Sequence, residues 1–238
     1  MTTDAAILFI HGFMGSPKQF EGMKTLLEGS GADIHTLTLP GHGKSVAEFC
    51  EADAEDWLAG VRQRLRDLSR DYERIVIVGH SMGGLLAVIA ATEQPKKVSA
   101  VVAIAFPLRV TLTPEWVSMM NKTARSPRPD DSLKILASRR LSGVPVRGAG
   151  KYFSVMPNQF ELLKIAAKAR EALPKLKARL LVFNFTKDEI VARSVPELTL
   201  KLQPAAEVTI LPESFHFLFD PEEERLMAKA VRQMTDNR

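Results

Sequence analysis

One short segment constrains the fold of this chain more than any other. An apolar run over 74–80 leads into GHSMGG at 79–84, and a helical pattern follows over 82–93. The segment is G-x-S-x-G between a strand and a helix, a setting in which a sharp turn exposes the serine at the carboxyl end of a sheet. We expect a strained backbone at Ser81 and glycines around it, because a Cβ there would meet neighbouring chain. A chance match in a loop is the alternative, and the flanking strand and helix argue against it.

Five further apolar runs, rich in β-branched or aromatic residues, alternate with helical patterns. Such alternation is typical of βαβ units and of a parallel sheet covered on both faces. With the run before the turn, the predicted strands are 5–11, 32–38, 74–80, 98–105, 179–185 and 207–211. The predicted helices are 18–29, 53–71, 82–93, 193–202 and 221–234. The sequence therefore predicts an α/β fold with a mostly parallel sheet of about six strands.

The spacing of the strands breaks once, between the fourth and the fifth. A crossover with its helix needs only about a dozen residues, yet 106–178 separates these two strands. We therefore expect an insertion at 107–178, and a core formed by 1–106 and 179–238. Repeated prolines predict short helices and turns in the first part of the insertion, whereas 159–173 has the pattern of an amphipathic helix. Its apolar stripe consists of Leu162, Ala166, Ala169 and Leu173.

Composition excludes several functional classes. Hydrophobic residues make up 45% and charged residues 25%, as in ordinary globular proteins, and no apolar run reaches the ~18 residues of a membrane-spanning helix. Cys50 is the only cysteine, which excludes intrachain disulfides and multi-cysteine metal sites. With no signal-peptide pattern at the N-terminus, this favours a cytoplasmic location. The net charge of +4 is too small to indicate nucleic acid as a partner, and without a phosphate loop or clustered metal ligands no cofactor is expected.

A serine nucleophile needs a base to accept its proton and an acid to orient that base. In folds with this turn, the three follow the chain order serine, acid, histidine. His216 is the only histidine after Ser81, and it lies in a loop between the last strand and the last helix. The acid should follow the fifth strand, where Asp188 and Glu189 are adjacent candidates. We favour Asp188, because a shorter side chain orients an imidazole more tightly.

The loop after the first strand, HGFMGSP at 11–17, is expected to complete the site. Acyl transfer develops negative charge on an oxygen that needs preorganised N–H donors. One donor is expected at Met82, the residue after the nucleophile, and the other at Phe13. His11 is interpreted as a residue that hydrogen-bonds this loop, and His42 as one that shapes the rim of the site.

Several motifs together resemble an α/β-hydrolase: HGF at 11–13, LPGHGKS at 39–45, GHSMGG at the turn, KDEIV at 187–191 and SFHFL at 214–218. Within that superfamily the chain is most similar to small carboxylesterases and monoacylglycerol lipases, over about 5–105 and 179–235. The resemblance implies a triad of Ser81, Asp188 and His216, oxyanion amides at Phe13 and Met82, and a cap formed by the insertion. It implies hydrolysis of a small-molecule carboxylic ester, such as an acyl ester or a monoacylglycerol, through an acyl-enzyme.

The same three residues could also serve other reactions. A thioesterase, a carbon–carbon bond hydrolase and an acyltransferase remain open within enzymes. Outside enzymes, the alternative is a ligand receptor that keeps the pocket without turnover.

The insertion is basic, whereas the rest of the chain is acidic. Residues 107–178 hold 14 Lys or Arg and 5 Asp or Glu, net +9, and the remaining residues are net −5. These charges are interpreted first as solvated helix faces, with contact to anionic lipid surfaces or to anionic acyl substrates as the alternatives. Apolar residues between the charges are candidates for the wall of an acyl pocket: Leu112, Trp116, Val117, Met119, Met120, Phe153, Met156 and Phe160. The expected substrate contacts are Phe13, Met82, Trp116 and Met120.

Overall fold

The computed structural model describes residues 3–94, 96–111, 118, 121–123, 125–146 and 154–236. Two of the expected substrate contacts, Trp116 and Met120, lie outside these residues. The same holds for four other candidates for the pocket wall: Leu112, Val117, Met119 and Phe153.

A single sheet of six strands forms the centre of the fold. The strands are β1 (Ala5–Ile10), β2 (Asp33–Leu37), β3 (Arg74–His80), β4 (Val98–Ile104), β5 (Arg179–Phe185) and β6 (Glu207–Leu211). They lie in the order β2-β1-β3-β4-β5-β6, and every neighbouring pair is parallel. The predicted α/β class and the six predicted strands are confirmed. Because all strands run the same way, the loops that follow them meet at one edge of the sheet.

Burial differs between the central strands and the edge strands. All residues of β1 are buried, as are nearly all of β3, β4 and β5, which accounts for their continuous apolar sequences. In contrast, β2 contains no buried residue and β6 only one, Leu211. The expectation that every strand is covered on both faces therefore fails for β2 and β6. These are edge strands, and an edge strand has a neighbouring strand on only one side.

Eight α-helices of the described chain surround the sheet. They are α1 (Glu21–Leu26), α2 (Val46–Glu51), α3 (Ala54–Asp71), α4 (Met82–Glu93), α5 (Leu133–Leu141), α6 (Met156–Ala172), α7 (Val195–Leu202) and α8 (Pro221–Asp236). The group α3, α4 and α6 packs together, α1 packs on α8, and both groups contact the sheet. The expected layer of helices on each face is thus present. The predicted helix 18–29 is a 3₁₀ turn, Pro17–Phe20, followed by the short α1.

The segment between β4 and β5 contributes α5 and α6. The predicted stripe of α6 is confirmed, since Leu162, Ala166 and Ala169 are buried and this helix packs against α4. Its N-terminal end differs from expectation, because Met156 and Phe160 are 46% and 63% exposed. The helix α5 contacts the 3₁₀ turn after β1. The segment therefore reaches across the carboxyl edge of the sheet.

None of the helices in the described ranges is both long enough and apolar enough to span a membrane.

Candidate active site

The turn between β3 and α4 holds Ser81 in a conformation that few residues adopt. Its φ is +50° and its ψ is −123°, in the region that normally favours glycine. A Cβ on Gly79 would lie 2.4 Å from the Gly84 nitrogen, and one on Gly83 would lie 2.0 Å from the Ile10 carbonyl oxygen. The predicted strain and the need for glycine at these two positions are confirmed.

Ser81, His216 and Asp188 form one hydrogen-bonded chain. The Nε2 atom of His216 lies 3.1 Å from Ser81 Oγ, and its Nδ1 lies 2.9 Å and 3.1 Å from the two carboxylate oxygens of Asp188. A carboxylate only accepts hydrogen bonds, so Nδ1 carries a proton and donates it to Asp188. In the neutral imidazole, Nε2 then carries a lone pair that accepts the Ser81 hydroxyl proton.

The carboxylate of Asp188 is itself fixed by the backbone that follows it. Its Oδ1 accepts the N–H groups of Ile190 and Val191, each at 2.8 Å. The Asp188 side chain is 1% exposed, like that of His216. Of the two acids considered from the sequence, Asp188 is therefore the one seen hydrogen-bonded to His216, whereas Glu189 acts on His216 through its charge.

The electrostatics of this pair favour a protonated imidazole next to a carboxylate. Burial lowers the pKa of His216, but the charge and hydrogen bond of Asp188 and the charge of Glu189 outweigh it, so the pKa lies above its ordinary value. Burial raises the pKa of Asp188, but His216 and two backbone N–H groups outweigh it, so that pKa is lowered. Asp188 is thus ionised whenever His216 takes up a proton.

His80, within the turn itself, supports the loop that carries His216. It is fully buried, and its Nε2–H donates to the His216 carbonyl oxygen at 2.9 Å. Burial lowers the pKa of His80 well below its ordinary value, with the charge of His216 acting in the same direction. His80 is therefore neutral and acts through the backbone of His216. No role was predicted for His80 from the sequence, although its place inside G-x-S-x-G was a usable signal.

Two buried histidines hold the loop after β1, as predicted for His11 from the sequence. The Nδ1–H of His11 donates to the Gly12 carbonyl oxygen at 2.9 Å, and its Nε2 accepts the Leu39 N–H at 3.1 Å. His42 Nε2 accepts the Met14 N–H at 3.1 Å. Burial lowers the pKa of His11 to about 3, with the charge of His42 adding to it, and lowers that of His42 to about 4. Both rings are neutral, which their roles as acceptors require.

This loop brings Phe13 to the nucleophile. A Cβ on Gly12 would lie 3.0 Å from Ser81 Cβ, so the loop backbone passes directly beside the serine. Phe13 is half-buried and lines the cavity described next. Met82 is the first residue of α4, where N–H groups have no partner within the helix. Its side chain is fully buried, and Met82 is not among the residues that line the cavity.

A cavity of about 750 Å³ opens onto Ser81 and His216. One part of its wall is apolar and includes Val110, Leu141, Val144, Val146, Leu162 and Ile190. Met156 and Phe160, expected in a pocket wall, do not line it, because they point away as exposed residues of α6. The cavity is large enough for a small organic substrate.

Another part of the cavity wall is polar and was missed from the sequence. It comprises Thr123, Arg125, Ser126, Ser138 and Arg139. Both arginines pair with the enclosed carboxylate of Asp131. The only sequence signal was the dense positive charge of the insertion, which does not tell which cations point inward. Among all the described residues, no cluster of three His, Cys, Asp or Glu side chains is arranged to hold a metal ion.

Comparison with known proteins places these features in a family. A sequence model described as the alpha/beta hydrolase family matches residues 7–230. A putative non-heme haloperoxidase of Mycobacterium phage D29 is 33% identical over 102 residues, which is 43% of this chain and only 36% of that protein. The thermostable monoacylglycerol lipase of Bacillus sp. (strain H-257) is 24% identical over 78% of this chain and 71% of its own length.

Solved structures agree on the fold. One comes from the work on LipS and LipT, two metagenome-derived lipolytic enzymes, and it matches with a TM-score of 0.74 and 23% identity over 100% of this chain and 96% of the other. The monoacylglycerol lipase of Paleococcus ferrophilus matches with a TM-score of 0.72 and 18% identity over 98% and 96% of the two chains. The family match spans nearly the whole chain, and the strand order and serine turn agree with it. The chain therefore belongs to the alpha/beta hydrolase family.

Proposed function

We propose that this protein is a serine hydrolase that cleaves carboxylic esters through an acyl-enzyme on Ser81. The observation that carries the proposal is the hydrogen-bonded chain of Ser81, His216 and Asp188, in which Ser81 and His216 line the cavity. A strained serine with a buried, oriented base is the arrangement that acyl transfer needs.

The reaction follows from the positions of the protons. The Ser81 Oγ attacks the ester carbonyl carbon while its proton moves to Nε2 of His216, and the ionised Asp188 stabilises the imidazolium. The imidazolium then gives this proton to the departing alkoxide, which leaves as an alcohol. A water molecule attacks the acyl-enzyme with His216 again as base, and releases the acid and free Ser81.

We assign stabilisation of the oxyanion to the backbone N–H groups of Phe13 and Met82. Support comes from the loop that passes beside Ser81 and from the position of Met82 at the first turn of α4. The histidine contacts to Gly12 and Met14 on either side of Phe13 fix this loop before substrate arrives. Preorganisation of this kind is worth about 10²–10³ in rate per donor in other acyl-transfer enzymes.

The proposed substrates are small carboxylic esters, including monoacylglycerols. Two relatives carry names that support this class, the Bacillus enzyme above and the human monoglyceride lipase, which is 24% identical over 87% of this chain. We further propose that residues 107–178 act as a cap over a core formed by 1–106 and 179–238. The cavity supports this division, since residues of both parts line it.

The test is hydrolysis of p-nitrophenyl esters of increasing acyl length, with matched thioesters and monoacylglycerols in parallel. We expect Ser81→Ala to lower kcat for esters by ~10⁴-fold or more with the protein still folded, because it removes the nucleophile. Ser45→Ala, at an exposed helix cap that does not line the cavity, is the matched control.

Each outcome identifies a different function. Ester activity that persists at full rate in Ser81→Ala contradicts the proposal. Faster turnover of thioesters than of esters makes the protein a thioesterase. Binding of an ester without turnover by the unmodified protein makes it a receptor.

A further inference from the structure

The polar part of the cavity wall has a defined architecture, and we call Thr123, Arg125, Ser126, Ser138 and Arg139 the basic wall. The N–H groups of Arg139 are taken up by neighbouring acceptors. Besides Asp131, Arg139 donates to the carbonyl oxygens of Lys122, Thr123 and Arg125. This guanidinium therefore ties the wall together and holds Asp131 in place.

Arg125 differs from Arg139 in the donors it has left. Its Nη1 and Nη2 bond Asp131 and the Ser126 carbonyl oxygen, whereas a guanidinium offers five N–H groups in all. Its side chain remains 27% exposed. Asp131 thus orients Arg125 and leaves it able to donate to a further group in the cavity.

The charges of this region do not cancel. Asp131 is a single carboxylate between two arginines, and hydrogen bonds from the Arg128 backbone, Arg139 and Arg125 lower its pKa, so it stays ionised. Lys18, on the 3₁₀ turn that α5 contacts, also lines the cavity, is exposed and has no carboxylate partner among the described residues. Lys44, the remaining basic residue of the lining, is paired with Glu48.

No acidic side chain is found among the described residues that line the cavity. A site that shares its space with Ser81 therefore offers cations, hydroxyl groups and an apolar wall, but no carboxylate to repel a negative charge. Charge-assisted hydrogen bonds from arginine to a carboxylate or phosphate are among the stronger polar interactions in proteins.

We infer that the basic wall, with Lys18, binds a carboxylate of the ester that is remote from the bond that is cleaved. This inference rests on the proposed ester hydrolysis and narrows its substrate to amphiphilic esters with a negative charge. The apolar wall holds the hydrocarbon part, while Arg125 and Lys18 hold the anion.

The experiment compares esters that differ in a single carboxylate group. The first pair is p-nitrophenyl hexanoate and the mono-p-nitrophenyl ester of adipic acid, which places a carboxylate at the far end of the acyl chain. The second pair is phenyl hexanoate and 4-carboxyphenyl hexanoate, which places it on the alcohol side. We expect kcat/KM to be about tenfold higher for the anionic member of at least one pair, and this preference to shrink at high salt.

Two variants connect the preference to the residues. Arg125→Gln and Lys18→Gln are expected to reduce the anionic-to-neutral ratio of kcat/KM about fivefold to tenfold. Lys229→Gln on α8 is the matched control, because it removes the same charge from an exposed position outside the cavity lining. Its ratio should equal that of the unmodified protein. Thermal unfolding of each variant identifies any loss of folding, and Lys18 lies on the surface, where such a loss is not expected.

The outcomes separate this inference from the proposed function. If neutral esters are hydrolysed and neither anionic ester is preferred, the inference is wrong and the ester hydrolase stands. If the preference exists but survives both substitutions, the basic wall is not its source and the inference is wrong. Co-sedimentation with anionic phosphatidylserine vesicles is measured for the same variants. If the substitutions weaken this co-sedimentation but leave the ratio of kcat/KM unchanged, the cations face a membrane and not the substrate, which again overturns the inference. If no ester is hydrolysed, the proposed function itself is wrong.

Discussion

His216 is restrained at three points, so its ring has one orientation. Nδ1 is held by Asp188, Nε2 lies against Ser81, and the backbone carbonyl accepts from His80. Asp188 lies in the loop after β5, whereas His80 ends β3 and Ser81 follows it directly. A base held in this way needs little reorganisation when it accepts a proton.

The pH dependence of the proposed reaction reports on this environment. His216 must be neutral to accept the Ser81 proton, and the charges of Asp188 and Glu189 raise its pKa. We expect kcat/KM to rise with pH through an apparent pKa above about 6.5, the ordinary histidine value. Glu189→Gln should move this rising limb of the pH profile, and its apparent pKa, to lower pH, because the substitution removes one of the charges that stabilise the imidazolium.

The measurement is a pH–rate profile from pH 5 to 9 for the unmodified protein and Glu189→Gln. Glu197→Gln, a matched change on α7, should leave the limb where it was. A limb that stays in place or moves to higher pH in Glu189→Gln contradicts the role given to that charge.

The contact between Ser81, Asp188 and His216 could be predicted, because each of them follows the end of a strand. Ser81 was identified by its turn, and His216 by being the one histidine beyond it. The partners of His42 and Asp131 could not be predicted in the same way. His42 contacts Met14 across 28 positions, and Asp131 pairs from an irregular segment with Arg125 before it and with Arg139 on α5. Contacts of this kind depend on how loops fold over the sheet, which periodicity does not encode.

At the scale of elements, the close approach of α4 to β1 fixes the serine turn. The backbone at Gly83 lies so near to Ile10 and His11 that a Cβ would sit 2.0 Å and 2.8 Å from their carbonyl oxygens. At Gly84, one position later in the same helix, the nearest atoms would be 3.2 Å away. A Cβ therefore clashes with backbone at Gly83, whereas at Gly84 it makes only a tight contact.

Substitution by alanine should separate the two positions. Gly83→Ala is expected to lower the free energy of unfolding by about 3 kcal/mol or more, because neither carbonyl can move without shifting β1. Gly84→Ala is expected to change it by about 1 kcal/mol or less, since alanine also favours the helix. Urea denaturation of both variants makes the comparison, and equal losses would show that the approach at Gly83 is not limiting.

The sequence predicted strands more completely than short helices. A run of about four to eight apolar residues, rich in β-branched or aromatic side chains and bounded by turn signals, indicates a buried strand. In contrast, α2 and α5 are only six and nine residues long and have no strong apolar period, so they were not assigned. The exposure of β2 and β6 was also not predictable, because it follows from the order of strands in the sheet.

At the scale of the whole molecule, several buried histidines make stability depend on pH. His11, His42 and His80 are neutral in the folded state, with pKa values lowered by burial. In the unfolded chain each binds a proton near pH 6.5. The unfolded state therefore binds more protons below that pH, and stability falls as the pH falls from about 6.5 towards 4. His216 acts with the opposite sign, because its raised pKa favours the folded state until the pH rises through that pKa.

The free energy of unfolding should accordingly drop between pH 7 and pH 5, by up to about 2 kcal/mol for each neutral histidine. His42→Gln is expected to flatten this drop by roughly that amount, even if it lowers stability at pH 7 through the lost contact to Met14. His35→Gln is the matched control, because His35 is half-exposed and solvent reduces its contribution. Urea denaturation at pH 7, 6 and 5 measures all three proteins. If the slope of His42→Gln equals that of the unmodified chain, His42 takes up its proton in the folded state and the neutral ring inferred from its acceptor role is wrong.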